Sequence, residues 1–260
     1  MNRLLINVFP SWLVLTVFVA AGLVFAYGVY RLAYRYVAPK EDDENEVTVL
    51  SIELIGAVYG ILLGFIIVAL WENLNAADAN VAHEATALAQ VVRAAEAFSP
   101  DGRTLVVNAA GDYVRAVVDD EWQLMRDGAT SERAADGISK LYAALQQYEP
   151  QTERQKVFYA EAVGRLGDVL SARRSRLEAV EASLSGSLRF MMYTGFAVIV
   201  TLLAVLGTGR RRAHVVMLLV VTGMIAFNLG LATTLDYPFS GDVSVSDEPF
   251  RLGVLAQFHR

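Results

Sequence analysis

The sequence contains no cysteine, and only three histidines and six prolines among 260 residues. Without thiols there is no disulfide, no thiolate nucleophile and no cysteine-held metal. His83, His214 and His259 fall in separate segments, so no sequence-local metal site exists and no cofactor is expected. Charge is scarce as well. Charged residues make up 19% of the chain and the formal net charge is −6, which excludes nucleic acid as a partner. Also absent are a phosphate-binding glycine loop, a Gly-x-Ser-x-Gly elbow and a histidine pair at helical spacing, so catalysis is not expected.

What the chain does have is apolar residues, 55% of the total, gathered into runs. The runs cover residues 9–30, 47–71, 190–206 and 215–235. Each approaches the roughly 20 apolar residues needed to cross a bilayer as a helix, so the chain reads as a multi-pass membrane protein with a lipid bilayer as its surroundings. The first run has small residues, Ala20, Ala21 and Gly22, where a signal peptide would be cut, but it continues unbroken to Tyr30 and reads as a retained span. Five acids fill residues 41–46, a short block that reads as a solvated turn favouring the start of the next helix through its dipole.

The second run does not stop at the membrane. Past Trp71, Ala82, Ala85, Leu88, Ala89, Val92 and Ala95 recur at three- and four-residue steps, so the helix continues into water with one buried stripe. Further amphipathic helices cover residues 104–126 and 131–148. A last soluble helix from Thr152 is expected to pass without interruption into the third apolar run, as far as Leu206. The expected fold is all-α: four transmembrane helices with a helical-bundle soluble domain inserted between helices two and three. The expected divisions are residues 1–72 for helices one and two, 73–188 for the bundle, 189–235 for helices three and four, and 236–260 for an interfacial tail. Phe239, Phe250, Leu252, Leu255 and Phe258 make that tail apolar enough to lie on the membrane surface or on the bundle.

Within helix two, Gly56, Gly60 and Gly64 stack on one face, with Glu53 one turn below. Three glycines in register allow another backbone to approach closely, within or between subunits; a pore lining or hinge is the alternative. A carboxylate at the depth of Glu53 is expensive in hydrocarbon unless it faces protein, water or headgroups, so it is either a functional group or one that snorkels. Phe65 lies in the bulkiest row of the same helix, and Glu72 at its mouth either rims an entrance or marks a solvated exit. Asn228, deep in helix four, is expected to make an interhelical hydrogen bond rather than hold an ion. Glu121 and Trp122 read as a docking contact rather than a binding site. Arg210, Arg211 and Arg212 between helices three and four, with Arg31, Arg35 and Lys40 between helices one and two, point to both turns in the cytoplasm and the bundle on the outer face of the cell membrane, while Arg173, Arg174, Arg176 and Arg189 on the bundle side of helix three favour the opposite orientation.

Several stretches together carry a resemblance. The helix-two exit FIIVALWENLNAADANVAHEATAL, the segment YVRAVVDDEWQLM and the closing LDYPFSGDVSVSDEPF resemble the bestrophin-like family of bacterial membrane proteins, over almost the whole chain. The specific positions are Glu84, Glu121, Trp122, Asp236, Pro238, Phe239, Gly241, Pro249 and Phe250. The resemblance implies a distant similarity to bestrophins, pentameric anion channels whose second transmembrane helix lines the pore and runs on into a helical domain. It implies a homo-oligomer of the bacterial inner membrane whose partners are inorganic ions. The other function considered is a non-conducting sensor or scaffold whose bundle binds an envelope partner.

Overall fold

In the computed structural model, residues 2–36, 46–205 and 211–259 are described, and among them there is no strand. The helices are α1 (Asn2–Val8), α2 (Ser11–Tyr36), α3 (Glu46–Ala94), α4 (Pro100–Ala116), α5 (Trp122–Arg126), α6 (Glu132–Gln147), α7 (Glu153–Glu181), α8 (Gly186–Val205), α9 (Arg211–Leu235) and α10 (Glu248–Arg251). Four are long and apolar enough to cross a membrane: α2, α3 from Leu50 onward, α8 and α9. The acidic block at 41–46 and the basic turn through Arg210 fall largely outside the described residues.

The chain divides into two compact units. The first takes Met1–Glu72, Ser183–Asp236 and Gly241–Val243. In it α2 packs along α9 and against α8, around a small core of Ala26, Tyr30, Val200, Ala204 and Leu218. Gly22 permits the close approach, because any side chain there would strike Ala226 on α9. The tail returns to this unit at a tight turn: Gly241, at φ +80°, adopts a backbone that favours glycine, presses on Ile6, and donates its N–H to Asn7.

The second unit takes Asn73–Ala182, Tyr237–Ser240 and Ser244–Arg260. Its helices start where the sequence supplies caps. Ser99 accepts from the Gly102 N–H with Pro100 in the first turn, Ser131 accepts from Ala134, and Thr152 forms a capping box with Gln155. Its core runs through Leu88, Val91, Val106, Tyr113, Leu141, Leu145, Leu166 and Val169, and it includes the tail residues Phe239, Phe250 and Leu255. Of the two surfaces considered for the tail, the bundle is the one these side chains occupy.

Two elements differ from the sequence expectation. The helix expected to run unbroken from Thr152 to Leu206 stops at Glu181 and restarts at Gly186. Ser185 recaps the next helix by accepting from Leu188, and the Leu184 N–H is taken by the Asp236 carboxylate. The expected helix over 104–126 is interrupted by a π-turn, Val117–Glu121. Such a turn inserts one extra residue and rotates the downstream side chains around the helix axis.

Candidate functional site

In the first unit α3 has three distinct faces. Tyr59, Leu63 and Leu70 are buried, and Tyr59 donates its hydroxyl to the Met192 carbonyl at 2.7 Å while its ring occupies the place where Gly195 lacks a side chain. That contact fastens α3 to α8. The glycine face is turned beside it and has no neighbour: a Cβ built on Gly56, Gly60 or Gly64 meets nothing within 4 Å. These glycines line a cavity of about 670 Å³ whose other walls come from α8 and α9, with Glu53, His214 and Asn228 among its polar groups. Asn228 lines this cavity and also the groove between α2 and α9.

The third face of α3 points away from the rest of the chain. Leu54, Ile61 and Val68 are exposed, and Phe65 is the most open of the row at 71%. Glu72, also exposed, follows on that face.

In the second unit the structure gathers Glu84, Glu121 and Trp122 around Arg176, a side chain that the sequence alone does not separate from the surface charges beside it. Its guanidinium donates from Nε and Nη2 to Glu84 at 2.7 and 3.1 Å, and from Nη2 to Glu121 at 2.8 Å. Arg173 donates to the other Glu121 oxygen at 2.7 Å, and the Tyr113 hydroxyl donates to Glu84 at 2.5 Å. Trp122 lies under the Arg176 guanidinium, 5.7 Å from carbon to ring centroid. Glu84, Glu121, Arg176 and Tyr113 are all fully buried. Two carboxylates face two guanidiniums, so the cluster is neutral overall. Burial, and then the adjacent Glu84, push the Tyr113 phenol well above its usual range. For Arg176 burial acts downward, but Glu84, Tyr113 and Glu121 together outweigh it and the guanidinium is held above its ordinary value. The π-turn is what aims Glu121 at Arg176 and seats Trp122 on the tail, edge-on to Phe239 at 5.9 Å and near Phe250 at 6.3 Å. Arg176 shares the buried stripe of its helix with Leu166, Val169, Ala172 and Val180, an arginine at a core position.

The remaining tail positions have local roles. Asp236 is buried at the end of α9 and accepts from the Leu184 N–H and from Arg189, each at 2.7 Å. Burial raises its carboxyl above the usual value, against the opposing pull of the Leu184 N–H, Arg189 and Arg3. Pro238 offers its carbonyl to Val245 at 2.8 Å, and Pro249 stands in the first turn of α10. Among the described residues no three His, Asp or Glu side chains converge as metal ligands.

Residues 16–250 match the family model described as the bestrophin-like domain. No curated protein sequence matches the chain. Among solved structures, variants of a bacterial bestrophin homologue from Klebsiella pneumoniae are similar at 12% identity, covering 90% of this chain and 93% of that one with a TM-score of 0.70. Another such variant gives 13% identity, 94% and 97% coverage and a TM-score of 0.67. A structure described only as a membrane protein has 13% identity, 90% and 93% coverage and the same score, 0.67. At these identities the structural likeness speaks for the fold. With a family match spanning most of its length and four apolar helices, this chain belongs to the bestrophin-like family and is an all-α membrane protein.

Proposed function

We propose that the chain is the subunit of an oligomeric ion channel in the bacterial cell membrane, with copies of α3 arranged around a central path. Residues 1–72 and 189–235 then form the membrane base, and residues 73–188 with the tail form the soluble part. The observation that carries the reading is the outward face of α3 in the first unit, where Leu54, Ile61, Phe65 and Val68 are exposed although bulky and apolar. In a ring of subunits, Ile61 and Phe65 make an apolar constriction of the kind that gates by dewetting, and Glu72 makes an acidic ring at its mouth. The resemblance implies anions as the permeant class; the Glu72 ring favours cations. Exposed Arg31, Arg35 and Arg212 at the membrane ends of α2 and α9 support a cytoplasmic placement of those ends and an outer placement of the soluble part.

The test is ion flux from liposomes holding the purified protein. The reading expects flux above that of empty liposomes, larger with Phe65→Ala, and a weaker preference for cations with Glu72→Gln. Flux no greater than in empty liposomes overturns it and leaves the sensor or scaffold.

A further inference from the structure

The break between α7 and α8 has no local cause. Residues 182–185 are Ala, Ser, Leu and Ser, with no proline among them, and a glycine such as Gly186 is tolerated inside a helix. A stretch of this composition is able to carry α7 straight into α8, yet the backbone leaves the helix at Ala182, with φ −61° and ψ 126°. Closing it into helix would give each of its N–H groups a carbonyl four residues back. The open form has a bond from outside the stretch instead.

That bond goes to Asp236. Its buried carboxylate accepts from the Leu184 N–H through one oxygen and from the Arg189 guanidinium through the other, each at 2.7 Å. Leu184 lies in the break and Arg189 in the first turn of α8, so one carboxylate grips the restart on both sides. Both bonds have an ionised acceptor, which makes them roughly twice as strong as bonds between neutral groups. A single proton on the carboxyl weakens both at once. The other bonds at the restart do little to oppose closure. The Arg189 N–H already donates to the Ser185 carbonyl at helical spacing, and the Ser185 hydroxyl cap on Leu188 is exposed.

The charged groups facing Asp236 are Arg189 from α8 and Arg3 from α1, both cations. Of the acids close by in the chain, Asp242 is engaged by the Ser11 N–H at 2.9 Å, and Glu181 at the end of α7 is exposed. We propose that Asp236 is a proton-operated latch. Ionised, it holds the chain open between α7 and α8; on taking a proton from solvent it lets go of Leu184 and Arg189, and residues 182–185 close into helix. Burial favours the proton and raises the carboxyl above its ordinary value, although the Leu184 N–H, Arg189 and Arg3 pull the other way. The latch stands whether or not the protein conducts ions.

Hydrogen exchange of the full chain in lipid nanodiscs, read by mass spectrometry on peptides covering residues 183–186, tests this once the intrinsic pH dependence of exchange is divided out. In the wild type, protection of these amides should rise about tenfold from mildly alkaline to mildly acid pH, as the helix closes. Asp236→Asn, uncharged at every pH, should show the high protection throughout. Arg189→Gln removes the cation that favours the ionised carboxyl and should move the wild-type transition to higher pH. The latch is overturned if wild-type protection is the same across the range, if Asp236→Asn exchanges as fast as the wild type at alkaline pH or faster, or if a pH-dependent change survives in Asp236→Asn. Should Asp236→Asn fail to fold, Arg189→Gln decides: a transition left at the wild-type pH overturns the latch.

Discussion

Arg176 is the residue with the most depending on it. Its guanidinium donates hydrogen bonds to Glu84, Glu121 and Met125, and no water reaches Glu84 or Glu121 to replace it. Breaking a buried pair from one side leaves an uncompensated charge and costs about 3–5 kcal/mol, so Arg176→Met should lower stability by that order in thermal or denaturant unfolding. Removing charge from both sides, Glu84→Gln with Arg176→Met, should cost less than the sum of the two single changes, and additive losses would mean the pair does not interact as drawn. Tyr113→Phe should cost about 1.5–3 kcal/mol through its bond to Glu84. Glu84, Glu121 and Trp122 could be picked out through the family resemblance, but their common partner could not, because Arg173, Arg174 and Arg176 look alike in sequence and only packing decides which one is inside. Asp236 supplies a pH test at the same scale. Because burial raises the folded carboxyl above its unfolded value, the folded state holds the proton more tightly. The stability from this group is full below the unfolded value and is lost as pH rises through the folded one. Asp236→Asn should flatten that decline in thermal midpoint between acid and neutral pH; an unchanged profile would assign the pH dependence elsewhere.

At the scale of elements, the helices were readable because their apolar residues recur at helical period, whereas their interruptions were not. The gap between α7 and α8 depends on Asp236, about 50 residues away in sequence, taking the Leu184 N–H at 2.7 Å. The π-turn aims Glu121 at Arg176, a partner 55 residues on. Neither partner is local, so no window of sequence contains the cause. The glycines show the same limit: Gly60 and Gly195 both lie in apolar helices, yet one faces open space and the other the ring of Tyr59. Gly60→Ala should therefore be tolerated or stabilise by up to about 1 kcal/mol, while Gly195→Ala should cost about 1–3 kcal/mol as Tyr59 is displaced. Comparing the two in unfolding measurements checks the packing of α3 on α8 directly.

For the whole molecule, the four spans and the continuation of α3 into a polar half were legible from hydropathy and the absence of helix breakers. The partition of α3 into three faces was not, because a stripe of glycine and a stripe of Ile61 and Phe65 are equally plausible contact surfaces until Tyr59 shows which side the chain itself occupies. Orientation is open to labelling, since the native sequence has no cysteine. Thr130→Cys, exposed in the loop after α5, should react with an impermeant thiol reagent in intact cells if the soluble part is outside, and protection would reverse the assignment. The same lack of cysteine makes the ion path testable. In liposomes carrying Phe65→Cys, a small water-soluble thiol reagent should abolish ion flux while leaving Val24→Cys, on the exposed face of α2, unaffected. Undiminished flux through the modified Phe65→Cys protein would contradict the placement of α3 around the path.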